Sequence, residues 1–95
     1  MQINVHLDLD TLHYAGPCDA GASLRELASR ITDALSAAYP SADVDVTYDT
    51  RTGGGGRTVV TDDDGRPAPY HVSDAVRHVS GTVWEPHDWI VPAAR

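Results

Sequence analysis

The sequence predicts an α+β fold: a two-layer sandwich with elements in the order β-α-β-β-α, in which two helices pack on one face of a three-stranded mixed sheet. Three observations predict it. Apolar residues alternate with polar ones at Ile3, Val5, Leu7 and Leu9 and again at Val44, Val46 and Tyr48, the period of a strand with one buried face. Apolar stripes at helical spacing run from Leu24 to Ala38 and from Val72 to Val83. Clusters of Gly, Pro and Asp separate these segments, and a helix and a sheet that are each apolar on one side must cover one another. A chain of 95 residues builds one core, so residues 1–95 are read as a single domain.

The first strand is expected from Gln2 to Leu9, followed by a loop from Thr11 to Gly21. Ser23 and Glu26 have capping-box spacing, which predicts a helix start at Ser23. Leu24, Leu27, Ala28, Ile31, Leu35 and Ala38 form its apolar stripe, and Pro40 ends it. A right-handed crossover through this helix makes the second strand parallel to the first. The glycines Gly53 to Gly56 then interrupt the chain before Thr58–Thr61, so strands two and three are expected to form a hairpin around a long glycine tip. Asp62 to Gly65 form a turn and Arg66 to Pro69 an extended link. The second helix carries Val72, Ala75, Val76, Val79 and Val83 inward and depends on packing, because β-branched residues and Gly81 are poor helix formers. Pro86 stops it, and Trp89, Ile90 and Val91 are expected to lie back on the core.

Composition narrows the function. Fourteen Asp and Glu against seven Arg, with no Lys, give a formal charge of −7, which repels phosphate backbones and anionic membranes. The expected partner is a protein with a basic surface, with no direct nucleic-acid or membrane binding. No apolar run is long enough to span a bilayer, and the single cysteine, Cys18, suits a reducing compartment, so the expected location is the cytoplasm. If the helices cover one side of the sheet, Asp8, Asp43, Asp45 and Asp49 project from the other, and the turn at Asp62–Asp64 adds to a negative side.

Catalytic and cofactor chemistry is poorly supported. Asp62-Asp63-Asp64-Gly65 lacks the alternating ligand spacing of a calcium loop, and the glycine run is not followed by a Gly-Lys-Ser/Thr phosphate cradle. His71 and His78 are seven residues apart, a poor spacing for a metal on one helix. Cys18 lies beside Asp19, which disfavours a thiolate. No cofactor and no enzymatic activity are expected.

The order of these features resembles the DinI-like family, named for the DNA-damage-inducible protein I of enteric bacteria. The resemblance rests on Met1-Gln2-Ile3-Asn4-Val5, on Leu24 to Ile31, on Ala37-Ala38-Tyr39-Pro40, on Val44 to Tyr48 and on the closing stretch from Thr82 to Val91 with its two tryptophans. It implies a non-enzymatic modulator of the SOS response that binds RecA and adjusts its filament on single-stranded DNA. In the family, an acidic face of the second helix engages RecA. By position, that role falls here to Asp74, Glu85 and Asp88. The outward positions Ser73, Asp74, Arg77, His78 and Gly81 depart from an acidic face, and Asp62, Asp63 and Asp64 are expected to supply the missing charge. The alternative is a phage- or plasmid-borne inhibitor of another nucleic-acid-binding protein, acting by charge mimicry.

Overall fold

The computed structural model describes residues 1–12, 18–51 and 56–93. Strand β1 (Gln2–Leu7) is followed by a 3-10 turn at Leu9–Leu12, helix α1 (Ala20–Ala38), strand β2 (Asp43–Tyr48), strand β3 (Arg57–Thr61) and helix α2 (Tyr70–Trp84). The three strands form one mixed sheet with the two helices on one side, the predicted α+β architecture. Of the loop expected from Thr11 to Gly21, 13–17 lie outside the described residues; Thr11 belongs to the 3-10 turn, while Ala20 and Gly21 already belong to α1. The expected glycine tip also lies outside them, except for Gly56.

Strand order is β2-β1-β3, with β1 parallel to β2 and antiparallel to β3. This corrects the expected hairpin, because β3 pairs with β1 and not with β2. The reason is burial. The inward side chains of β1, Ile3, Val5 and Leu7, are almost wholly buried, whereas Val44 and Val46 of β2 are only half-buried. Placing β1 in the centre puts the most apolar strand under both helices and leaves the half-polar β2 at an edge.

The chain between β2 and β3 therefore crosses the far end of β1, where polar groups tie it down. Asp49 N–H donates to Leu7 O and Leu9 N–H to Arg51 O, each at 2.9 Å. Asp8, expected on the open face, is instead 2% exposed, and its carboxylate accepts Asp10 N–H and Gly56 N–H, each at 3.0 Å. Gly56 has φ +95°, and a Cβ there would stand 2.7 Å from His6 O, so only glycine lets the chain pass this close before entering β3.

Helix α1 starts earlier than the Ser23 capping box predicts. Asp19 is its cap, with Oδ1 accepting Ala22 N–H at 3.0 Å, and Glu26 pairs with Arg30 one turn on, at 2.9 Å. Ser23 is fully buried and holds the C-terminal segment: its Oγ accepts Val91 N–H at 2.9 Å, while Val91 O accepts Asp19 N–H at 2.8 Å. The stripe of Leu24, Leu27, Ala28, Ile31 and Leu35 is buried as predicted, but Ala38 is exposed at the end of the helix. On α2, Val76 is buried, Val72, Val79 and Val83 are half-buried, and Ala75 is exposed instead of facing the core. The C-terminal segment returns to the core as expected. Trp89 is 1% exposed, with Nε1 donating to Trp84 O at 2.9 Å, and Trp84 Nε1 donates to Thr11 O at 3.0 Å. Each indole thus satisfies its one donor, the Trp89 ring wholly buried and the Trp84 ring half-buried. Among the described residues, no helix is long and apolar enough to cross a membrane.

Candidate functional site

The side of the sheet away from the helices carries the outward residues of all three strands, and their order follows from the register. Gln2 of β1 lies between Asp43 and Thr61, Asn4 between Asp45 and Val59, and His6 between Thr47 and Arg57. Charge is therefore graded along β1. Two carboxylates flank its beginning, and an arginine stands beside its end, where His6 Nδ1 and Thr47 Oγ1 share a hydrogen bond of 2.9 Å.

The turn after β3 returns to the acidic end. Asp62 builds it: its Oδ1 accepts both Asp64 N–H and Arg66 N–H at 2.9 Å, its own N–H donates to Arg66 O at 2.8 Å, and Gly65 takes φ +79°. With the Asp62 carboxylate engaged by backbone, Asp63 and Asp64 point into solvent. The Met1 ammonium hydrogen-bonds Asp63, and that bond together with its positive charge holds the Asp63 carboxyl below the ordinary aspartate range. Because Gln2 pairs with Asp43 on one side and Thr61 on the other, this turn and Asp43 border the same shallow hollow. The expected partner residues Asp62, Asp63 and Asp64 are thus brought together, and Asp43 joins them.

The other three are not. Asp74 is exposed in the second turn of α2 and Glu85 caps its far end, eleven residues on, or about 16 Å along the axis at ~1.5 Å per residue. Asp88 is engaged elsewhere: its Oδ1 meets Arg30 Nη1 at 2.7 Å and its carbonyl accepts Arg30 Nη2 at 3.4 Å, joining the C-terminal segment to α1. The Arg30 guanidinium is held above its ordinary value, first by the hydrogen bond to Glu26 and then by the charge of Asp88. Asp88 is a tie between elements, and α2 offers no continuous acidic face.

Of the four acids expected on the open side of the sheet, Asp43 and Asp45 are there, Asp8 is buried and Asp49 is half-buried with Oδ1 accepting Arg51 N–H at 3.0 Å. The alternation of β2 marked Asp43 and Asp45 as outward; only the register shows that Asp43 adjoins the turn. Among the described residues, no three His, Cys, Asp or Glu side chains converge as a metal site. Comparison with protein-family models and with curated proteins finds no match for this chain.

Proposed function

We propose that the protein is a non-enzymatic binding module that meets a basic protein surface with the acidic end of its open sheet face, and that its partner is RecA, as the DinI-like resemblance implies. The observation that supports this is the convergence of Asp43, Asp62, Asp63 and Asp64 at one end of β1, with Asp45 two residues further along the same edge, opposed there by the Met1 ammonium and Arg66. Five carboxylates against two cations leave a net negative patch on a flat surface. Such a patch steers a basic partner by long-range attraction and competes with phosphates for the same groove. Asp74 and Glu85 stand apart from it, so the charge carried by the second helix in the DinI-like family is carried here by the sheet and the turn.

The test is binding to RecA, free and assembled on single-stranded DNA, measured by interferometry across a salt series. The expected result is binding that weakens with salt, falls further for the combined variant Asp43→Asn, Asp45→Asn, Asp63→Asn and Asp64→Asn, and is unchanged by Asp74→Asn. Asp62 is left intact because its carboxylate shapes the turn. Loss of binding in Asp74→Asn alone would move the contact to α2, and no binding in either state would refute RecA as the partner.

A further inference from the structure

The sheet has two edges, and the chain treats them differently. At the β3 edge the link to α2 pairs back: Ala68 N–H donates to Val60 O at 2.9 Å, and Thr61 bridges Pro67. At the other edge, among the described residues, β2 pairs with β1 alone. Asp43 N–H donates to Met1 O and Asp49 N–H to Leu7 O, each at 2.9 Å, so the odd-numbered residues of β2 turn their backbone groups towards β1. Successive residues of a strand turn these groups to opposite sides, and those of Val44, Val46 and Tyr48 therefore point outward along the edge.

Three features make this edge receptive instead of blocked. The register with β1 runs one to one over all six pairs, so no bulge twists the edge away, and neither proline nor lysine interrupts the strand. On the helix side, Val44 and Val46 are only half-buried and Tyr48 is 41% exposed, which leaves apolar surface for the side chains of a further strand to cover. On the open side, Asp43 and Asp45 stand at alternate positions. A second copy of β2 would set carboxylates beside carboxylates, which destabilises pairing, whereas a strand with cations at alternate positions would set opposite charges together.

We propose that the β2 edge takes up an extended basic segment of the partner protein as a fourth strand, with alternate Lys or Arg side chains beside Asp43 and Asp45 and the intervening apolar side chains over Val44 and Val46. Main-chain hydrogen bonds supply the attachment, and the alternate side chains supply the selectivity. The inference rests on the acidic surface meeting a basic protein and does not require that protein to be RecA.

The experiment is an amide NMR titration of the whole chain, at low salt, with the end-capped peptide Lys-Val-Lys-Val-Lys-Val-Lys, whose alternation reads the same in either direction. Binding should saturate, and at saturation the Val44, Val46 and Tyr48 amides should exchange with solvent about tenfold or more slowly, while the Thr58 amide of β3 is unchanged. The block peptide Lys-Lys-Lys-Lys-Val-Val-Val, of equal charge and composition, should bind severalfold more weakly. Asp43→Asn with Asp45→Asn, both exposed positions, should weaken the alternating peptide by about fivefold, the scale of two cross-strand ion pairs. Two N-methylated peptides separate backbone pairing from charge attraction. Methyl groups on the valine amides remove the donors that face β2 in an antiparallel addition, and methyl groups on the lysine amides remove those that face it in a parallel one. One of the two should lose binding and the other keep it. An equal response to the two, equal affinity for the block peptide, or no saturable binding would each overturn the proposal even if the protein bound RecA. Strand addition by the peptide without binding to RecA would sustain the proposal and refute only the choice of partner.

Discussion

Replacing Ser23 by alanine tests how the two ends of the chain are joined. Ser23 is fully buried, and its Oγ accepts Val91 N–H at 2.9 Å and lies 3.4 Å from Val91 O. Alanine fits the same space, so the cost is that of leaving a buried backbone donor unpaired, about 1–3 kcal/mol. At roughly 4–8 °C per kcal/mol for a domain of this size, the melting temperature should fall by about 5–20 °C. Thermal and urea unfolding followed by circular dichroism give the free energy, and amide exchange locates its origin. Val91 N–H should lose protection in Ser23→Ala, whereas the Glu26 amide, deep in α1, should keep it. A capping role for Ser23 predicts the reverse, because the amide it would cap is that of Glu26. A cost below about 0.5 kcal/mol, within the range of an ordinary surface substitution, or deprotection at Glu26 with Val91 unaffected, would refute the account of the C-terminal tie.

Two further outcomes follow from the loops. Gly56→Ala combines φ +95° with a Cβ 2.7 Å from His6 O, whereas Gly65→Ala has φ +79° with nothing within 4 Å. Chemical denaturation should therefore show Gly65→Ala losing about 1–2 kcal/mol, the left-handed penalty alone, and Gly56→Ala losing more; equal losses would show that the crossing over β1 is not tight. The Asp63 carboxyl, followed by carbon NMR against pH, should titrate below the ordinary aspartate range and move back up when the Met1 amino group is acetylated. Because the folded-state pKa is the lower one, the stability it contributes is present above the unfolded carboxylate pKa and is lost as pH falls through the folded one. Asp63→Asn should remove that part of the acid dependence, and an unchanged acid limb would contradict the pairing.

Local periodicity made the strands and helices legible, and its failures have a common cause. The alternation of Ile3, Val5 and Leu7 and the stripe from Leu24 to Leu35 each describe one element facing a core, and both are buried as written. The choice of β1 as the partner of β3 is a competition among three strands for the central place. No local pattern contains that comparison. The same holds for Asp19 and Ser23, two good capping residues four positions apart: what separates them is Val91, 68 residues away from Ser23, which uses the serine. Asp8 continued the outward period of β1, but the strand had ended, and its carboxylate was needed to hold the incoming Gly56. The acidic site was half visible for this reason. The run Asp62–Asp64 and the outward Asp43 and Asp45 could be read directly, whereas their adjacency depends on Gln2 having both neighbours at once.

The central position of β1 also separates the two ends of the open face. Its first residue, Gln2, stands beside Asp43 and the Asp62–Asp64 turn, and its fifth, His6, stands between Thr47 and Arg57 on the same open face. At about 3.3 Å per residue, the four-residue step from Gln2 to His6 sets these ends some 13 Å apart, beyond the screening length of roughly 8 Å at physiological salt. Charge at one end therefore acts weakly on the other. A basic partner held at the acidic end is therefore repelled only weakly by Arg57 at the other end of the face. The free edge of β2 supports the same division: its outward Asp43 and Asp45 discourage a second copy of this strand from pairing there, so the acidic edge stays open to a basic partner. One central strand, flanked by an edge of carboxylates and an edge that ends at an arginine, thus gives a 95-residue chain two chemically opposite surfaces.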